Sequence, residues 1–337
     1  MRVIVIGAGA VGGVLAALLH RAGHVVAVVA RGEHAAAIAA DGLHVDGGWG
    51  EWRARVPVVS GDNAEAADLL VLATKAHDSA AALAEWPGHD GTPVLVLQNG
   101  LGGEQAVRDA LPNSPVAVGL ALFAVSLTGP GRITVTGPNG LTLGGDADAV
   151  AVTEPVLRHA LPAELTVTDD ICGAQFTKLL VNQVNALPAI TGLSVQQTIA
   201  DKGLRRILAT GMVEAVAVGD AEDVSWGPIG GVNADAVARI RERGRVAADE
   251  LARRLATGMG DVPNPASMLQ SIRRGRVTEV DQINGVIVAL GGAHGVPTPV
   301  NSALVALVHE VERTGVHLSP ADTLARLAPA LPSTTQD

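Results

Sequence analysis

The chain has 337 residues, enough for two domains, and 48% hydrophobic against 17% charged residues makes a sizeable core available. A net charge of −10 with no basic run argues against nucleic acid and anionic membrane surfaces as partners. Aromatic residues are only 2%, so stacking is nearly excluded as a main recognition device. The single Cys172 excludes an intrachain disulfide and suits a reducing cytosol, and the ten His are scattered, so no metal site is expected.

Residues 2–6, Arg-Val-Ile-Val-Ile, are predicted as a strand that empties into Gly7-Ala8-Gly9-Ala10-Val11-Gly12-Gly13. An Ala/Leu-rich helix follows from Val14 to Leu19. In that strand–turn–helix setting G-x-G-x-x-G is the dinucleotide-binding fingerprint. Gly7 allows the tight turn, Gly9 lets backbone approach a pyrophosphate, Gly12 lets helix and strand pack closely, and the helix N-terminus faces the phosphate charge. The same assignment accounts for the apolar stretch 3–19. It is broken by glycines and flanked only by Arg2, so it is not read as a signal or membrane segment.

Val25–Ala30 is the second predicted strand. NAD-binding units end this strand with an acid for the ribose 2′-hydroxyl, whereas NADP-binding units place a basic residue there for the 2′-phosphate. Here the strand ends Val28-Val29-Ala30-Arg31-Gly32, and the planar fork of arginine suits phosphate. NADPH is therefore the expected cofactor, with Glu33 keeping NADH as the alternative. Apolar runs at Asp68–Ala73, Pro93–Gln98 and Val116–Leu120 alternate with helical stretches near 33–40, 79–85 and 104–110. They predict a parallel sheet covered on both faces. Lys75 and Asn99 fall at the carboxyl ends of two of these strands, the ligand edge of such sheets, where Gly100 and Gly102 permit close backbone approach. Two hairpin insertions are expected, one turning at Gly47-Gly48. The other turns at Pro138-Asn139-Gly140, between Ile133–Thr136 and Leu141–Leu143.

From about Ile171 the strand-like runs vanish. Helices are predicted near 173–190, 202–219, 232–256, 276–293 and 299–314. The division is placed near 168, giving a Rossmann-type α/β domain over 1–168 and an all-helical substrate domain over 169–337. The second is expected to close over the ligand edge and form a cleft. Residues 332–337 read as a frayed end.

The helical part carries Lys178-Leu179-Leu180-Val181-Asn182. Residues four apart share a helix face, Asn185 falls on the same side, and Phe176, Leu180 and Leu187 lie opposite. A solvated face is the plain alternative, but such faces favour Glu, Lys and Arg over Asn. A lysine flanked by two amides suits hydride addition to a ketone, which leaves charge on oxygen for an ammonium to stabilise and protonate. In Arg276–Gly285, Glu279 falls on one helical stripe with Ile283, Val286 and Leu290. A carboxylate there must be paired, with Arg276 as the nearest partner, or face a site. Asn264-Pro265-Ala266-Ser267-Met268-Leu269-Gln270 reads as a capped helix start.

Together these pieces resemble the ketopantoate reductase family over nearly the whole chain. The blocks are Gly7–Gly12, Thr74-Lys75-Ala76, Gln98-Asn99-Gly100-Leu101-Gly102, Lys178–Asn182 and Ser267-Met268-Leu269-Gln270. The most specific is Thr278-Glu279-Val280-Asp281-Gln282-Ile283-Asn284-Gly285. The resemblance implies NADPH-dependent reduction of ketopantoate to pantoate in pantothenate synthesis. It implies Lys178 as general acid, with Glu279 beside it in catalysis and substrate binding. Asn99 would lie between the nicotinamide ribose and the substrate. Asn182, Asn264 and Ser267 match substrate-binding positions, Arg31 the 2′-phosphate reader and Lys75 a second active-site lysine. Many members carry another Asn eight residues after the catalytic lysine. Here that position is Ala186, so Asn185 substitutes from the same side or the substrate differs. A β-hydroxyacid dehydrogenase or imine reductase is the enzyme alternative, opposed by the 278–285 block. A non-catalytic NADP sensor is opposed by Lys178, Asn182 and Glu279 occurring together. The expected partner is a small 2-oxoacid and the expected location cytoplasmic, with a homodimer left open.

Overall fold

The structure, a computed structural model, describes residues 1–61, 65–260 and 262–332; positions 333–337 of the expected frayed tail lie outside them. The chain divides into two compact units, Met1–Ile171 and Cys172–Asp337.

The first unit runs β1 (Arg2–Ile6), α1 (Ala10–Arg21), β2 (Val25–Val29), α2 (Gly32–Asp41), β3 (Leu43–Gly47), β4 (Trp52–Ala54), β5 (Leu69–Leu72), α3 (Ser79–Leu83), β6 (Val94–Val96) and α4 (Gly103–Ala110). It continues with β7 (Val116–Ala121), β8 (Ala124–Gly129), β9 (Arg132–Gly137), β10 (Leu141–Gly145), α5 (Ala147–Ala160) and β11 (Leu165–Val167). Seven strands form one sheet in the order β11-β10-β7-β6-β5-β1-β2. It is parallel from β2 through β7; β10 joins antiparallel to β7, and β11 pairs parallel to β10. Strands β5 and β6 are apolar and buried at every position, as a parallel sheet covered on both faces requires. Helix α1 is apolar almost all round because it packs on two sheets. It lies against β1 and β2 on one side and against β3, β4, β8 and β9 on the other. Gly13 marks the second contact, since a methyl there would sit 2.5 Å from Ile133 Cδ1.

That second sheet has the order β4-β3-β9-β8. The Gly47-Gly48 hairpin is present, with β3 antiparallel to β4 and Gly47 at φ +97°. The Asn139-Gly140 hairpin is not. Strand β9 pairs with β3 and β8, its hairpin partner being β8 through the turn at Gly131, whereas β10 belongs to the large sheet. The backbone explains the difference. Leu122 donates to the Gly140 carbonyl at 3.0 Å and Leu141 to the Glu164 carbonyl at 2.9 Å, so the large sheet claims the groups a local hairpin would pair. Gly140 is needed for the close approach of Glu164, whose carbonyl occupies the place of a side chain.

The second unit is helical: α6 (Ile171–Asn182), α7 (Ala186–Thr191), α8 (Val195–Ala200), α9 (Lys202–Ala221), α10 (Ala234–Arg243), α11 (Arg245–Gly258), α12 (Ser267–Arg273), α13 (Val286–His294), α14 (Pro299–Thr314) and α15 (Pro320–Leu327). The long α9 is its spine, packed by α10, α11, α13 and α14 and started by Asp201, which accepts from the amides of Gly203 and Leu204. The helix expected over 232–256 is two, broken at Gly244 with φ +53°. The helix expected from 276 starts later: 276–279 are not helical, and a π-turn over Asp281–Gly285 leads into α13. Among the described residues no helix is long and apolar enough to cross a membrane.

Candidate active site

In the first unit the Gly-rich turn sits where β1 meets its neighbours. Gly7 has φ +102°, and a methyl there would press on the Thr74 amide at 2.7 Å. A methyl at Gly12 would meet the Gly7 carbonyl oxygen and lie 2.8 Å from Ala73 Cβ. Gly9 is different, because a methyl there would meet nothing within 4 Å. Ala8 is tied down by its amide to the Val29 carbonyl at 2.9 Å and by its carbonyl to His34 Nε2 at 2.6 Å. Gly131 donates to His34 Nδ1, so this imidazole is an Nε2–H donor bridging the turn to the β8–β9 hairpin. Ala10 and Val11 open α1, which begins without an acidic residue in its first turn and without a side-chain cap. Open space at Gly9 beside an uncapped helix N-terminus suits the diphosphate of a dinucleotide.

Arg31 is the N-cap residue of α2, directly after β2, and its side chain is 79% exposed. Lys75 follows β5 and opens a 3₁₀ turn over Ala76–Asp78. Asn99 follows β6, next to Gly100 and Gly102 at φ +84° and +96°. The two loops carrying Lys75 and Asn99 are joined by Gln98. Its amide nitrogen donates to the Thr74 carbonyl at 2.8 Å, to Ser79 Oγ at 2.8 Å and to Thr74 Oγ1 at 3.1 Å. No role was expected of the Gln98 side chain itself; a polar residue ending an apolar strand at the ligand edge is the sequence signal for it.

In the second unit Lys178 lies on α6 with Asn182 one turn on. Lys178 is half-buried, and loss of hydration brings its pKa down to about 8. Asn182 is only 7% exposed, and its Nδ2 has no hydrogen-bond partner among the described residues. α6 ends at Asn182, so Asn185 stands on a following 3₁₀ turn over Gln183–Asn185 and not on the same helix. It donates to the Asn182 carbonyl at 3.0 Å, while its Oδ1 accepts from the Ser267 amide at 3.1 Å and Ser267 Oγ at 3.3 Å. Asn264 does not cap α12. The N-cap position is Ala266, at φ 58° and ψ 159°, a conformation that residues other than glycine rarely adopt. Asn264 Oδ1 holds it by accepting from the Ala266 amide at 2.8 Å, and the Asn264 amide donates to Gln196 Oε1 at 2.9 Å. Asn182, Asn185, Asn264 and Ser267 are thus one connected group around a strained residue.

Glu279 is buried, 3% exposed, at the start of the helical run: its carbonyl accepts from the Ile283 amide at 3.1 Å, and the π-turn over Asp281–Gly285 then shifts the register of Val286 and Leu290 on the expected stripe. Arg276 is exposed. The Glu279 turn is fastened on both sides. The Thr278 amide donates to Glu312 Oε1 at 2.6 Å, and Thr278 Oγ1 accepts from the Val280 amide at 3.1 Å. His309 bridges Glu312 at 2.8 Å and Asp281 at 2.9 Å. The two carboxylates raise its pKa, against the lowering effect of burial. The sequence reading missed a buried amide network that joins the Lys178 helix to the Glu279 turn. Asn284 Nδ2 donates to Gln183 Oε1 and to Asn301 Oδ1, both at 2.9 Å. Asn301 Nδ2 donates to Glu214 Oε2 at 2.8 Å. The Glu214 carboxylate also accepts from the Val300 and Asn301 amides at the start of α14. Burial pushes the Glu214 carboxyl up. Its signal was four amide and acid side chains inside otherwise apolar helical patterns.

Two family models cover the chain, "Ketopantoate reductase PanE/ApbA" over residues 3–148 and "Ketopantoate reductase PanE/ApbA C terminal" over 170–312. The 2-dehydropantoate 2-reductase of Halobacterium salinarum is 32% identical, covering 94% of this chain and 100% of its own. That of Vibrio cholerae is 31% identical, covering 93% and 99%. A crystal structure of a PanE/ApbA family ketopantoate reductase from Ralstonia eutropha has a TM-score of 0.80 at 30% identity, covering 93% of this chain and 99% of its own. D-mandelate dehydrogenase in a ternary structure with NADH and anilino(oxo)acetate has a TM-score of 0.79 at 25% identity, with the same coverage.

Proposed function

The chain belongs to the ketopantoate reductase family, and we propose that it reduces ketopantoate to pantoate with NADPH, using Lys178 as the general acid. The observation that supports this most is Lys178 itself: half-buried, with a pKa of about 8, one helical turn from Asn182 and its unpartnered Nδ2. When bound, the reduced nicotinamide supplies the hydride. Gly9 and the N-terminus of α1 receive the diphosphate, and Arg31 receives the 2′-phosphate. Lys178 places positive charge at the ketone oxygen and gives up the proton that completes the alcohol. Asn182 donates from Nδ2 to the oxoacid, Ser267 is held ready by Asn185, and Glu279 accepts from substrate hydroxyl groups. Asn99, Lys75 and Asn264 complete the set as binding and positioning groups.

A second reading is favoured by the likeness to D-mandelate dehydrogenase and by Ala186, which departs from the family pattern after the lysine. It keeps the same acid and replaces ketopantoate by another 2-oxoacid and NADPH by NADH. The deciding experiment follows oxidation of NADPH and NADH with a panel of 2-oxoacids, including ketopantoate and the 2-oxo form of mandelate. The proposal expects the highest kcat/KM with ketopantoate and NADPH; a higher value for another pair replaces it with the second reading.

A further inference from the structure

The acid that β2 lacks at its end arrives from a different strand. Asp78 closes the 3₁₀ turn after β5, and its Oδ2 lies 3.1 Å from Arg31 Nη2. The two side chains are 79% and 40% exposed, so both are open to a ligand from solvent. They meet beyond β2 and β5, the strands on either side of β1, whose Gly-rich turn is the candidate diphosphate cradle. One point therefore carries two opposed chemistries. A guanidinium fork matches a 2′-phosphate, and a carboxylate accepts from a ribose 2′-hydroxyl.

We propose that Asp78 moderates the preference of this chain for NADPH over NADH. It disfavours NADPH by occupying Arg31 and by repelling the 2′-phosphate, and it favours NADH by accepting from the 2′-hydroxyl. The proposal rests on the reading of Arg31 as the group that meets the 2′ position. Exposed ion pairs are weak, so a phosphate dianion displaces Asp78 from Arg31 at small cost, and the result is a graded preference between the two cofactors. Glu33, in the first turn of α2, is the other acid near this position, but it forms no ion pair with Arg31 comparable to that of Asp78.

Isothermal titration calorimetry of NADPH and NADH on the full chain tests this, with Asp78→Asn, Arg31→Ala and Glu33→Gln compared with wild type. Asp78→Asn is expected to tighten NADPH about two- to fivefold at low salt and to leave NADH equal or weaker, raising the ratio of Kd for NADH to Kd for NADPH. The gain shrinks as salt screens the charges. Glu33→Gln is expected to leave the ratio near wild type. An unchanged or lowered ratio in Asp78→Asn, with Arg31→Ala still lowering it, overturns the role of Asp78 alone. A ratio indifferent to Arg31→Ala overturns the reading of Arg31 and this proposal with it. Melting curves without ligand are expected to match wild type in all three variants, since every altered side chain is at the surface.

Discussion

The two units prepare for a ligand in opposite ways. The first presents backbone: a glycine with open space, an uncapped helix N-terminus, and exposed side chains at strand ends. The second presents side chains: a desolvated lysine and amides that are buried and bonded to one another. A diphosphate is the same in every dinucleotide, so fixed dipoles from main chain suffice, and they cost the fold no buried polar group. A small oxoacid must be told from its neighbours by a few hydrogen bonds, which require polar atoms held away from water. The first unit therefore risks little stability for its site and the second risks more.

The largest effect is expected where the desolvated charge sits. Lys178→Ala removes a positive charge and the proposed proton donor, and kcat is expected to fall about 10²- to 10⁴-fold with NADPH affinity nearly unchanged. The pH dependence follows from the lowered pKa of about 8. Reduction needs the ammonium, so kcat/KM is expected to decline as pH rises through about 8; oxidation of the alcohol needs the free amine and is expected to rise over the same range. Steady-state kinetics in both directions check this. Parallel limbs in the two directions, or near-normal turnover of the variant, would remove Lys178 from the role of acid.

How much of this contrast the sequence revealed depends on the range of the interactions involved. The Gly7–Gly12 turn was legible because strand, glycines and helix are contiguous and their spacing carries the reason for each residue. The Asn139-Gly140 turn misled for the opposite reason. Local turn chemistry is silent about which sheet each flanking strand joins, and Glu164 and Leu122 decide that from elsewhere in the chain. Lys178 and Asn182 could be placed together because one helix carries both. Asn185 and the residues that follow Glu279 were harder to place, because a 3₁₀ turn and a π-turn reset the helical count. The Gln183–Asn284–Asn301–Glu214 network joins segments up to about a hundred residues apart, a pairing that no single-window pattern contains.

The glycines offer a sharper cut within the first unit. Gly12→Ala puts a methyl against the Gly7 carbonyl and Ala73 Cβ, so the unit must shift, and a loss of about 1–3 kcal/mol is expected. Gly9→Ala meets no protein atom and keeps an allowed φ of −64°, so stability is expected to fall by much less. Dinucleotide affinity is nonetheless expected to drop in Gly9→Ala, because the methyl occupies the approach to the helix N-terminus. Thermal unfolding and calorimetric titration on both variants separate packing from binding. Equal destabilisation in the two would mean that Gly9 is structural as well.

In the second unit Asn185 is expected to behave as a support. Asn185→Ala takes the acceptor from the Ser267 amide and hydroxyl, leaving a donor unpaired beside the strained Ala266. The cost to stability is about 1–3 kcal/mol, and KM for the oxoacid is expected to rise with kcat less affected. Asn185→Asp keeps the acceptor for Ser267 but replaces the Nδ2 that donates to the Asn182 carbonyl by a second oxygen, so KM is expected to stay nearer wild type while stability is recovered only in part. A variant in which Ala and Asp behave alike would place the Ser267 bonds outside the argument.

Asn182 gives the smallest effect on the fold and the clearest test of why it is there. Its Nδ2 is buried without a partner among the described residues, and an unpaired buried donor costs stability. The backbone carbonyl that accepts from Asn185 survives any substitution at this position. Asn182→Ala removes the unpaired donor at the expense of a small packing loss, and the two nearly cancel. The apparent melting temperature is therefore expected to stay within about 2 °C of wild type or to rise. If the amide donates to the oxoacid, kcat/KM falls about tenfold, the equivalent of one hydrogen bond of roughly 1.4 kcal/mol. Loss of activity without loss of stability marks a residue kept for the substrate. Loss of both would mean that Nδ2 serves the fold, and the division of labour between the two units would then be weaker than the buried amides suggest.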